Sequence, residues 1–218
     1  MTSGFNAVTN DFTIKQLRNL LEHIDTPGFV AKLRANYLDP RNKDAYLDDV
    51  HAYLDGVAAR SPAKMSFAEA LRMARVVRQL FPGDTWPDQA RHRVHLCIDY
   101  LESRYAGQLD DIAYQHMKGM IREFEAERLW GYFGFEGFVD HMRLAVYKGA
   151  YFTEEPDGSD VRPILELLRR QDPDVVSLAF DPEGSGPDTH YKVMQAIASA
   201  LRQYTGELDE EKVASLRV

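Results

Sequence analysis

The sequence holds one cysteine, Cys97, so it can form neither an intrachain disulfide nor a cysteine-only zinc site. A reducing compartment suits such a chain, and a cytoplasmic location is expected. Long apolar runs are also missing: no uncharged stretch approaches the ~18 residues of a membrane span. Met1 to Thr9 contain no Lys or Arg and no apolar h-region, so a standard export signal is not expected either. Basic charge is the minority sign, with 26 Lys and Arg against 34 Asp and Glu and a formal net charge of -8. That balance argues against a wide nucleic-acid footprint, which needs cations on phosphates, and against docking on anionic membranes. A soluble protein that binds neither is the expectation.

Catalytic signatures are equally scarce. The chain has no Walker A sequence, no His-Glu-x-x-His and no Gly-x-Ser-x-Gly. Gly184-Ser185-Gly186 is followed by Thr189 where a dinucleotide fingerprint has its third glycine. Asp181, Glu183, Ser185 and Gly186 match the opening of a calcium loop, but its twelfth position is Lys192 instead of Glu. No repeat of solenoid period and no low-complexity tract occurs.

What is present is helical patterning. The 218 residues fit one large domain. After an N-terminal arm of residues 1–12, Thr13 can cap a first helix while Gln16 reaches back and Phe12 staples to Leu17. A second helix follows Pro27 and ends before Pro40, and a third runs from Asn42 to Ala59. Ser66-Phe67-Ala68-Glu69 has the form of a capping box opening a fourth helix that Pro82-Gly83 closes. A fifth spans Pro87 to Tyr105, with Val94, Cys97, Ile98, Leu101 and Tyr105 on one side. A sixth spans Asp110 to Arg128, and a seventh Phe135 to Ala150, where Phe135, Phe138, Val139, Met142, Ala145 and Val146 form a stripe.

The pattern predicts a mainly α fold, a bundle-like helical body over 13–150. An irregular acidic C-terminal region, 151–218, is expected to pack on the same domain. Short helices are expected over Val161 to Arg170 and Asp188 to Tyr204, with last turns from Asp209. Val175 to Phe180 reads equally as a strand or a helical turn. Residues 151–218 hold 14 acidic against 7 basic residues, so almost all of the net acidity lies there.

On the sixth helix, His116, Glu123 and Glu127 fall within roughly 40° of one another and inside an apolar arc at about 100° per residue. Imidazole and carboxylates on such a face suit a transition-metal site in a bundle, with His51 or His141 as a further ligand. They suit equally a core-edge network paired with arginine. The Glu-x-x-His step of bundle di-iron sites is missing. His92, His95 and Asp99 have ligand spacing too, but project opposite the apolar stripe of the fifth helix, as a solvated face would. Cys97 lies on that stripe and reads as core.

Trp130, Tyr132, Phe133, Phe135 and Phe138, interspersed with Gly131, Gly134 and Gly137, make the most unusual stretch. It reads either as a packed interhelical corner or as an aromatic binding surface. Arg72, Arg75, Arg78, Arg91 and Arg93 form a modest basic group whose default is pairing within the chain.

Two functions follow. The first is a protein–protein interaction role, as an adaptor, regulator or inhibitor-like module, using the aromatic segment and the acidic C-terminal third. It implies a protein partner and leaves room for a homo-oligomer. The alternative is a metal-dependent bundle enzyme using His116, Glu123 and Glu127, so the residues leave open whether the chain is an enzyme. A helix-turn-helix in residues 13–39 ranks third, since the Pro27-Gly28 connection alone makes no recognition helix.

Overall fold

The computed structural model describes residues 8–39, 41–42, 47–105, 108–144, 158–178 and 188–218. Among them are nine α-helices: α1 Asn10–His23, α2 Pro27–Arg34, α3 Asp48–Ala58, α4 Pro62–Leu80, α5 Asp88–Glu102, α6 Ile112–Tyr132, α7 Gly158–Gln171, α8 Asp188–Thr205 and α9 Glu210–Ser215. A 3-10 turn covers Glu136–Phe138. No strand occurs among the described residues, only an isolated bridge between Val175 and Arg217. The fold is mainly α. No described helix is long and apolar enough to cross a membrane.

Local chemistry sets the boundaries, sometimes one turn away from where the pattern places them. α1 is capped by Thr9, whose hydroxyl accepts from the Phe12 N–H at 3.1 Å. Thr13 is buried inside the first turn and donates back to the Thr9 carbonyl at 3.0 Å. α4 likewise opens earlier than its capping-box sequence predicts, at Pro62 behind Ser61, because proline is pre-set for the first helical position. The Ser66 hydroxyl is used in tertiary contact instead, donating to Asn19 at 2.6 Å and meeting His23 at 2.9 Å.

The predicted seventh helix does not form over its described part. Beyond the 3-10 turn, residues 139–144 have no regular structure. Gly134, at φ +79°, ends α6 in the left-handed region, and three glycines in the stretch raise the entropy cost of helix. His141 is drawn back to Glu127 on α6 at 2.9 Å. Residues 145–150 and 43–46, parts of the predicted seventh and third helices, lie outside the described residues. So do the calcium-loop-like positions from Asp181 to Gly186 and most of the N-terminal arm.

The described chain forms two compact units, Ser3–His141 and Met142–Val218. In the first, α4 is central and packs against α1, α3, α5 and α6. Its residues Leu71, Met73, Ala74, Val76 and Val77 are buried against Leu17 and Leu20 of α1 and Val94, Cys97 and Leu101 of α5. Lys118 on α6 bonds to Asp110 at 2.6 Å and to Asn10 at 2.5 Å, which holds the start of α6 against α1. In the second unit, α7 packs on α8, with Val161, Ile164, Leu165 and Leu168 meeting Ala196, Ala200, Leu201 and Tyr204. Tyr204 closes that core by donating to Asp172 at 2.7 Å.

α3 and α4 approach closely at Gly56, where an added Cβ would lie 2.8 Å from Met65 Cγ and 2.9 Å from the Met65 backbone nitrogen. Alanine is the better helix former, yet backbone cannot yield as a side-chain tip can. Gly56→Ala is therefore expected to lower stability by about 1–3 kcal/mol, read as a lower urea midpoint at unchanged slope.

Candidate functional site

The polar groups that sequence reading gathers on α6 part company in three dimensions. His116 is exposed, while Glu123 and Glu127 are 3% and 4% exposed. Angle alone placed them together. At about 1.5 Å rise per residue, His116 stands roughly 10 Å along the axis from Glu123 and roughly 16 Å from Glu127, too far to share an ion. Among the described residues no three His, Cys, Asp or Glu side chains are grouped so as to hold a metal.

Glu127 instead belongs to a buried charge cluster. Arg72 of α4 pairs with Glu127 through its terminal nitrogen and with Asp49 of α3 through Nε at 2.7 Å. Asp49 is fully buried and also receives Arg75 at 2.9 Å, the Tyr37 hydroxyl at 2.8 Å and the Val50 N–H at 2.8 Å. The Arg72 guanidinium lies 4.6 Å from the Phe124 ring centre, and Arg128 lies 4.2 Å from that of Tyr53. Burial opposes the charge on Arg72, but Asp49 and Glu127 hold its pKa above the ordinary arginine value. Burial would likewise raise Glu127; the His141 hydrogen bond and the Arg72 charge outweigh it and hold the carboxyl down to about 2.

Arg72 and Arg75 are thus core residues, and the arginine group is paired within the chain, its default reading from sequence. Arg78 donates to the Asp84 carbonyl at 2.8 Å, Arg93 pairs with the Asp84 side chain at 2.8 Å, and Arg91 pairs with Asp25. His92, His95 and Asp99 are exposed on α5. Cys97 is buried, and burial pushes its thiol up to about 11, against the pull of Tyr114 and Arg93. An open cleft of about 550 Å³ beside α1 is lined by residues of both charge signs, among them Lys15, Arg18, Glu22 and Glu69.

The aromatic stretch has two parts. Its backbone makes a tight corner: a Cβ at Gly131 would come within 2.9 Å of Val50 Cγ1, and Phe135 N–H closes onto the Trp130 carbonyl at 2.9 Å. The side chains nevertheless stand outward. Trp130 is 48% exposed, Tyr132 73%, Phe133 61%, Phe135 52% and Phe138 84%. Edge-to-face contacts join Trp130 to Phe135 at 6.5 Å, Phe135 to Phe138 at 6.4 Å and Tyr132 to Phe133 at 5.3 Å. Leu129 beside them is also exposed. Glu136, the one charged side chain in the run, is tied to His51 at 2.9 Å, and that bond lowers its pKa. Tyr147, Tyr151 and Phe152, candidates for extending the cluster, lie outside the described residues.

Sequence reasoning missed Asp49 and Tyr37 as members of the buried cluster. The signal that could have found them is the position of Arg72 and Arg75 within the otherwise apolar run Ala70 to Val77. Cations there require buried partners.

No protein-family model matches the chain, and no curated protein or solved structure matches it either.

Glu127→Gln leaves Arg72 with an uncompensated share of buried charge and is expected to cost about 3–5 kcal/mol at neutral pH. The folded-state pKa of Glu127 is depressed, so its contribution is present above the unfolded value and lost as pH falls through about 2. Denaturant midpoints should therefore separate wild type from Glu127→Gln most at about pH 7, with the gap closing between about pH 4.5 and pH 2. A gap independent of pH would contradict the assignment.

Proposed function

We propose that this chain is a protein–protein interaction module working through the aromatic surface at the C-terminal end of α6. The observation that carries the reading is the exposure of Trp130, Tyr132, Phe133, Phe135 and Phe138 in one run. At about 150–250 Å² per aromatic side chain they leave roughly 600 Å² of ring surface in water, at the upper limit of the largest apolar patch on a typical monomer. Such surface is costly to keep exposed. Tyr and Trp are also the residues that most often anchor interfaces, since their rings bury much area for little lost rotamer freedom.

A metal-dependent enzyme has no comparable support. The Glu127 carboxylate is already engaged by Arg72 and His141, and His116 is more than two turns away.

The test compares what immobilised wild-type chain and a Tyr132→Ser/Phe138→Ser variant retain, with every retained protein identified and its affinity then measured with purified components. Both side chains are mostly exposed, so the variant keeps its core. Wild type is expected to hold a specific protein, a second copy of itself included, at least about tenfold more tightly than the variant. Equal affinities would remove the basis of the reading.

A further inference from the structure

Resting on that reading, we propose that the partner at the aromatic surface is a second copy of this chain, docked across a two-fold axis that brings the two α6 ends together. Three observations select this occupant.

The first is relief. A two-fold contact places one surface against itself, so the same patch must carry both projections and recesses. Here the exposed residues Phe133, Phe135 and Phe138 alternate along the chain with Gly134 and Gly137, and a Cβ added at either glycine would meet nothing within 4 Å. Glycine backbone without a side chain leaves open ground along this run that a ring of the second copy can approach. Edge-to-face geometry, already used within the patch, extends naturally between copies.

Area is the second. Roughly 600 Å² of ring surface per copy gives about 1,200 Å² over the pair, the lower end of the range for stable specific interfaces.

Charge is the third. A chain with a formal net charge of -8 repels its own copies, so self-association is favoured at a region poor in charge. From Leu129 to Val139 the only Asp, Glu, Lys or Arg is Glu136, and its carboxylate is hydrogen-bonded to His51 at 2.9 Å. A different protein recognising this acidic chain would gain approach rate and selectivity from complementary charge, which this run does not offer. Charge depletion with aromatic enrichment is the composition of interface cores, and homodimer interfaces are among the more apolar ones.

Light scattering on the 218-residue chain over about 1–100 µM tests the proposal. Wild type is expected at twice 24.9 kDa, with Phe138→Ser returning to 24.9 kDa at concentrations where wild type is paired. Gly137→Leu is the sharper variant: it adds apolar surface but occupies the open ground that a ring of the second copy would approach. It is expected to weaken pairing at least about tenfold, where mere apolar adhesion would strengthen it. Phe138 is 84% exposed and the space at Gly137 is open, so unchanged circular dichroism should accompany both variants. A mass of 24.9 kDa throughout overturns the proposal, as does pairing that Phe138→Ser leaves intact or Gly137→Leu tightens. A monomeric wild type whose hold on a different protein is still lost in Tyr132→Ser/Phe138→Ser would overturn the second copy alone and leave the interaction surface standing.

Discussion

Arg72 joins three helices through one guanidinium. From the middle of α4 it reaches Asp49 on α3 and Glu127 on α6 while lying over the Phe124 ring. Removing an arginine and two carboxylates from water costs several kcal/mol per ion, so the cluster is no simple source of stability. Its effect is on uniqueness of packing. A slip of α3 or α6 along α4 would separate a buried charge from its partner, and that penalty exceeds what a slip among Leu, Val and Met side chains would cost. Arg75, Tyr37 and the Val50 N–H use the remaining acceptor capacity of Asp49, which lets a fully buried carboxylate persist.

The aromatic surface follows from that constraint. Glu127 fixes the last two turns of α6, and Gly131, one turn on, lets α6 lie against Val50 and Leu54 of α3 without a side chain between them. With that face of α6 spent on α3, the rings of the following residues project elsewhere. The same glutamate accepts from His141 at 2.9 Å, so the chain turns back after the 3-10 turn instead of continuing as helix. One carboxylate thereby sets both the helix and the direction in which the chain leaves it.

Much of the helical pattern was legible in the residues because apolar periodicity and helix breakers act locally. The Pro82-Gly83 stop, the Pro27 start and the stripe of Val94, Cys97, Ile98 and Leu101 all correspond to what the fold contains. Boundaries failed where a tertiary bond competed with a local one: Ser66 spends its hydroxyl on Asn19 and His23, and His141 bonds Glu127 in place of extending a helix. The grouping of His116 with Glu127 failed for a simpler reason. Angular position on a helical wheel ignores distance along the axis. Pairing of the arginines within the chain was the default reading and is what the fold contains, but that Arg72 and Arg75 pair inside the core with an acceptor on α3 is something no spacing within α4 could reveal. The aromatic stretch was visible as unusual, but composition alone does not decide whether rings turn inward or outward.

Two departures from the usual distribution of polarity therefore sit within a few turns of each other: charges inside at Asp49, Arg72 and Glu127, and aromatic rings outside from Trp130 to Phe138. Departures of this kind either are compensated within the fold or mark a place where something else completes it. The buried charges are compensated, carboxylate to guanidinium, and require no ligand. The rings meet one another in edge contacts that leave Tyr132 and Phe138 mostly in water. The free energy still available in this unit is therefore that of ring surface leaving water. On the proposed reading, a charge-poor run with open glycine positions directs that free energy toward a second copy of the chain.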